Sequence, residues 1–233
     1  MDLWSAMLAR HTVRRYTEAP LPPHEKTTLI DQMERLNHTF HLSMTLVTDA
    51  PAPFGALSSA FTKGVKNYFV LSGPKSPALA EQIGYASASL MLLAQTLGLN
   101  TWWIGATFSR SMVKKASPLA PGDALIGIIA VGYGQTQGEP HISKPSDQIA
   151  HYDGVTPDWF SSGTDALLLA PTALNRQAFE LYGREDEVLL RCRRGPFSAV
   201  DLGIGKYFFE AGAGKENFHW AKEGSLSIPS ISQ

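Results

Sequence analysis

The stretch SPALAEQIGYASASLMLLAQTLG, residues 76–98, constrains the fold more than any other part of the chain. It predicts the longest helix. Pro77 fits the first helical position, where a missing amide costs nothing, and Gly98 fits the exit. Gly84, Ala86, Ser87, Ala88 and Ser89 gather small side chains in its middle, which lets a second helix approach closely. Two apolar runs follow, TWWIGA and LIGIIAVGY. Both have strand length and read as strands buried on both faces.

Leu3, Trp4, Met7 and Leu8 have helical spacing. The loop TEAPLPP follows, and Pro22-Pro23 opens a second helix with Leu29, Ile30, Met33 and Leu36 on one face. HLSMTLVTD alternates as a strand, residues 50–66 read as a loop with a short helical piece, and YFVLSG is a further strand. Residues 134–163 are rich in Gly, Pro and polar residues and read as a connecting loop. Beyond it the order repeats. TDALLLAPTALN is a short helix running into the strand RQAFELYG, and GREDE turns into EVLLRCRR. SAVDLGIGKYFFEAGAG is a helix ending at glycine, followed by the aromatic strand NFHWAKE. The second half, about 160–233, reads as a shortened copy of the first, about 1–150, within one α+β domain spanning 1–233. Helix–glycine–strand units are common enough to arise without duplication.

The 233 residues carry 20 Lys plus Arg against 21 Asp plus Glu, a formal charge of −1. That balance excludes a general nucleic-acid binder, which needs a strong basic excess. The single cysteine, Cys192, forms no intramolecular disulfide, and its place in a strand reads as inert. The N-terminus is a poor signal peptide, and the longest apolar runs are too short to span a bilayer. The expectation is a soluble cytoplasmic protein that uses neither nucleic acid nor membrane, as a monomer or weak homodimer. The seven histidines show no metal-ligand spacing, so no metal is expected.

Within this neutral chain RHTVRRY, residues 10–16, is locally basic. Arginine offers a planar fork of donors that matches a phosphate, and Thr12 adds a hydroxyl. Arg10 and His11 equally suit the carbonyl end of the first helix. In APTALNRQ, residues 170–177, Pro171 breaks the preceding helix, while Thr172, Asn175 and Gln177 both donate and accept hydrogen bonds. Such a mixture suits a heteroaromatic ring with an alternating edge. A kinked helix end capped by Thr172 and Asn175 is the other explanation.

Together the two stretches resemble the FMN-dependent nitroreductase family. That family opens with Arg-x-Ser-x-Arg/Lys-x-aromatic, matched here with Thr12 for serine and Tyr16 as the aromatic. It also carries Ala-Pro-Ser-x-x-Asn-x-Gln, matched at Ala170, Pro171, Thr172, Asn175 and Gln177. Its central helix and Ile-Gly strand end resemble GYASASLMLLAQTLGLNTWWIGA, with Ile104-Gly105 as the pair, and LIGIIAVGYG resembles the next strand. One departure matters. Ordinary members carry the Ala-Pro-Ser motif before the central helix, and here it comes in the second half. The order resembles a subgroup in which the family's homodimer is fused into one chain, a single-chain pseudo-dimer with a three-layer α/β/α fold.

The resemblance implies bound FMN, with NAD(P)H as electron donor and a small nitroaromatic, quinone or similar acceptor as partner. It implies that Arg10 and Thr12 hold the phosphate, with Lys144 near it and His11 also among the cofactor-binding residues. Arg14 would reach the N1–C2 edge of the flavin, where a cation stabilises the reduced ring. Pro171, Thr172, Ala173, Asn175 and Gln177 would line the ring and ribityl chain, and Ile104 and Gly105 would offer backbone groups near N5. The flavin carries the chemistry, so no catalytic side chain is expected. A flavin-binding or interaction module of the same fold without turnover is the alternative.

Overall fold

The structure, a computed structural model, describes residues 1–55 and 62–221. The short helical piece expected within residues 50–66 falls partly outside the described residues, as does the end of NFHWAKE. The elements in chain order are α1 (Leu3–Ala9), α2 (Pro23–Phe40), β1 (Thr45–Val47), β2 (Tyr68–Pro74), α3 (Leu79–Thr96), β3 (Asn100–Ile104), α4 (Arg110–Ala116), β4 (Asp123–Gly132), β5 (Ala150–Asp153), α5 (Asp158–Leu168), β6 (Phe179–Arg184), β7 (Glu187–Cys192), α6 (Ser198–Ala213) and β8 (His219–Trp220).

The strands form two four-stranded sheets, in the orders β1-β2-β4-β3 and β5-β6-β7-β8. The first is antiparallel throughout, with Tyr68 opposite Ala130 and Trp102 also opposite Ala130 across β4. The second is antiparallel only at β6–β7, and its outer pairs are parallel. The inner faces of both sheets, Phe69, Leu71, Ile129 and Val131 on one and Phe179, Leu181, Val188 and Leu190 on the other, share one core with α3, α5 and α6. The outer face of the first sheet has its own apolar layer, where Val70, Ile104 and Ile128 meet Val113 of α4, Phe54 and Phe108. The first sheet therefore carries helices on both faces.

The closest approach in the core is between α3 and α6. A β-carbon on Gly84 would fall onto the carbonyl oxygen of Val200, and one on Gly203 onto that of Glu81. The two contacts are reciprocal, since Glu81 precedes Gly84 by the same three positions that separate Val200 from Gly203. The same register extends along the chain. Tyr68 and Glu187 begin β2 and β7, Leu79 and Ser198 begin α3 and α6, and Asn100 and His219 begin β3 and β8; each pair is 119 residues apart.

Several expectations need correction. The helix expected from Pro77 begins at Leu79, because residues 77–78 form a turn closed by the Leu79 amide on Ser76 O at 3.3 Å. At 18 residues it is equalled by α2. The strand expected over 41–49 is three residues long. His41 takes the left-handed conformation, and the Asn37 amide side chain occupies both backbone groups of Met44, which removes that residue from the ladder. The segment 134–163 is not all loop: it contains a 3₁₀ turn at Ser146–Gln148, β5 and the start of α5. β5 is a short, alternately exposed edge strand whose pairing with β6, not its composition, makes it a strand. In α1 only Ala6 and Met7 are buried, while Leu3, Trp4 and Leu8 are exposed.

Candidate functional site

Residues 10–16 leave α1 as an extended arm. Thr12 bridges Thr101, the Val13 amide donates to Thr101 O at 3.1 Å, and Tyr16 bridges Gly134. Arg10 ends α1, its amide bonded to Ala6 O at 2.9 Å, and its side chain is only 4 % exposed. Its Nε has no hydrogen-bond partner, and no carboxylate pairs with its guanidinium among the described residues. Burial pulls its pKa down to about 10. An unpaired buried cation is destabilising unless an anion joins it. The Thr101 hydroxyl, in the residue facing Thr12, is buried and unpartnered too. Burial, then Arg10 and then His141, hold the His11 pKa below its ordinary value. Arg14 is exposed, with its guanidinium 5.5 Å over the Trp102 ring, which stacks on Phe54.

The segment after β4 ties this arm to the second half. The Gly134 amide donates to Asn100 Oδ1 and Asn100 Nδ2 donates to Gln137 Oε1. Gly138, at φ +75°, lies so near His11 and Thr12 that a β-carbon would stand 2.9 Å from His11 Cβ and Thr12 O. His141 Nε2 is 2.9 Å from Leu168 O and 3.1 Å from Gln177 Nε2. Ile142 O accepts from Asn175 Nδ2 at 3.0 Å. The Lys144 amide donates to Gln177 Oε1, and its ammonium donates to Gln177 O at 2.9 Å. Residues 138–144 thus contact both predicted walls. Sequence reasoning named only Lys144 here, because a polar, glycine-containing segment with partners distant in sequence carries no period.

In the second wall α5 stops at Leu168, before Pro171. The Gln177 amide donates to Thr172 Oγ1 at 3.0 Å, and the Ala173 amide donates to the Asp201 carboxylate. Leu174, Asn175 and Gln177 all take positive φ, at 55°, 52° and 40°. Such residues are strained in the left-handed region, and strain of this kind gathers at functional sites. Leu174 is nevertheless 88 % exposed. Gln177 is 1 % exposed, and its amide is occupied by Leu168 O and the Lys144 amide. Pro171, Thr172 and Ala173 are half-buried.

Ile104 ends β3 and Gly105 directly follows it. The Phe197 ring packs on Gly105 so closely that a β-carbon there would overlap it, and it meets the Trp103 ring edge-on at 5.4 Å. Phe197 is the N-cap of α6 with φ +61°, whereas Ala78, the N-cap of α3 and 119 residues earlier, has φ −85°. Sequence reasoning gave neither Phe197 nor Asp201 a role at the site.

The family described as "Putative TM nitroreductase" matches residues 2–213. The chain belongs to this nitroreductase family. A Thermotoga maritima protein of nearly the same description shares its fold, with TM-score 0.65, 21% identity, and coverage of 91% of this chain and 83% of that one. A Parabacteroides distasonis protein described as an NADH dehydrogenase/NAD(P)H nitroreductase aligns at TM-score 0.52 and 22% identity, over 66% of this chain and 98% of its own. A nitroreductase family protein of Streptococcus pneumoniae aligns at TM-score 0.52 and 15% identity, over 64% and 98%. No similar sequence is found among curated proteins. Among the described residues no helix is long and apolar enough to cross a membrane.

Proposed function

We infer that the chain is a flavin oxidoreductase that binds FMN in a single site built by one chain, with the 10–14 arm as one wall and residues 171–177 as the other. The observation that carries this is Arg10, a buried guanidinium with an unsatisfied Nε and no acidic partner among the described residues. A cofactor phosphate supplies the missing anion, and Thr12 and Lys144 are placed along the same arm and strap. Pro171, Thr172 and Asn175 would line the ring and ribityl chain, and the Gly105 backbone would meet the N5 edge. When bound, the flavin would take a hydride from NAD(P)H and pass electrons to a nitroaromatic or quinone acceptor in the cytoplasm. The chain's residues hold and orient it, and Arg14, resting on Trp102, would place positive charge near its N1 edge.

The pseudo-dimer is part of the same proposal. It is supported by the 119-residue register and by the reciprocal glycine contacts of α3 and α6, the pattern of a two-fold interface in which each surface meets its own copy. FMN titration of the purified protein, followed by absorbance, tests the proposal. One FMN per chain is expected, with oxidation of NADH or NADPH in the presence of menadione or nitrofurazone. Protein that takes up no flavin overturns it. The Phe197 ring over Gly105 favours a second reading, a flavin-binding module without turnover, and bound FMN with no acceptor reduction would establish that one.

A further inference from the structure

Asp201, in the first turn of α6, is a buried carboxylate only 5 % exposed. Both its oxygens reach one donor, the Ala173 amide, at 3.0 and 3.2 Å. The charged and titratable groups facing it are Arg176, from the same loop, and the Cys192 thiol at the end of β7. Neither offsets burial, which pushes the Asp201 pKa up to about 6 and that of Cys192 up to about 11. At neutral pH the carboxylate is therefore ionised in surroundings that penalise its charge. An asparagine would have the same shape, accept the same hydrogen bond and avoid that penalty.

What the carboxylate holds explains its presence. Ala173 directly precedes Leu174 and Asn175, and Gln177 follows two residues on, all three in the left-handed region. Left free, non-glycine residues return to ordinary φ values. A charged acceptor bonds an amide more strongly than a neutral one does. Arg176, inside the turn, is exposed, and the tip of its guanidinium reaches Gly195. The turn is thus tied to α6 by Asp201 and to the 138–144 strap by Asn175 and Gln177.

We propose that Asp201 is a positioning residue that holds the strained 171–177 turn in the shape that receives the cofactor, at some expense to the stability of the folded chain. This rests on residues 171–177 being a wall of the flavin site. The pH sign supports the stability half. A carboxylate whose pKa is raised by folding binds its proton more tightly in the folded chain, so its contribution to stability falls as pH rises from the ordinary carboxylate range to about 6.

The test uses the full chain with Asp201→Asn and Asp201→Ala. Three quantities are measured at neutral pH: the melting temperature without ligand, hydrogen exchange at the Ala173 amide, and the FMN dissociation constant by fluorescence quenching. The Asn variant should melt at or above the wild-type temperature, exchange Ala173 faster, and bind FMN about tenfold more weakly, the effect of losing a charge-assisted bond. The Ala variant should show a larger loss in both exchange protection and affinity. A merely structural role would make affinity follow the melting temperature. An Asn variant that melts lower and binds FMN as tightly as wild type overturns the proposal. Should wild type itself bind no FMN, the flavin reading falls separately, and Ala173 exchange still decides what Asp201 holds: faster exchange in both variants upholds the anchoring, unchanged exchange overturns it.

Discussion

The ring of Phe197, at the start of α6, rests on Gly105, just after β3, and no side chain fits between them. The contact joins the two halves at the strand end that would face the flavin. It also holds a bulky residue at φ +61°, a conformation that costs about 1–2 kcal/mol. Gly105→Ala should push the ring out of place, lowering stability by about 1–3 kcal/mol and changing the fluorescence of the adjoining Trp103. Combining it with Phe197→Ala should recover part of that loss. Strictly additive effects in the double-mutant cycle would show that the two residues do not meet.

Gly84→Ala and Gly203→Ala should behave as a matched pair. Each new methyl meets a backbone carbonyl, of Val200 or Glu81, which has no rotamer to yield. The helices must separate, at a cost of about 1–3 kcal/mol or more each. Thermal melts should show similar losses for both, whereas Gly122→Ala, with open space around its position, strains only the backbone of one exposed turn.

Arg10→Met should separate stability from binding. Without ligand the arginine is buried, charged and unpaired, so an apolar isostere should leave the melting temperature unchanged or raise it. FMN affinity should fall by tenfold or more, since a hydrogen bond to a charged group contributes about 1.5–3 kcal/mol. Melting curves with and without FMN read both effects.

His11 should make FMN binding take up a proton. Its folded pKa lies below the ordinary 6.5, through burial and the charges of Arg10 and His141. Without ligand, its contribution to stability is therefore complete above that value and lost as pH falls towards the lowered one. A phosphate dianion beside Arg10 raises the His11 pKa again, so affinity should increase as pH falls through the histidine range. Calorimetry in two buffers of different ionisation enthalpy would detect the uptake, and His11→Gln should abolish it.

Asp201 gives the opposite trend on the acid side. As pH falls through about 6 its carboxylate is protonated and the Ala173 amide loses its charged acceptor. FMN affinity should then weaken again, and Asp201→Asn should remove this acid limb while leaving the limb due to His11.

The elements that the sequence determined are those with a local cause. α3 and β3 follow from an apolar run with glycine at its exit, and Gly98 indeed takes φ +77°. β2, β4, β6 and β7 follow from apolar runs between turn residues, and the family is written in two short motifs at 10–16 and 170–177. β5 and α4 were hidden, since four residues at a sheet edge and one buried Val113 give no period to read. The site divides the same way. Arg10 and Thr12 stand out as candidates because phosphate recognition would need particular donors at close spacing. Whether Arg10 has a partner is a fact of tertiary structure, because any carboxylate in the chain could have folded against it. The same holds for the 138–144 strap, for Phe197 on Gly105 and for Asp201 on Ala173. Each joins residues separated by 27 or more positions, and such contacts are decided by how α6 and the two sheets pack around α3. Local chemistry fixes what a residue can do, and only the packed chain fixes what it is placed against.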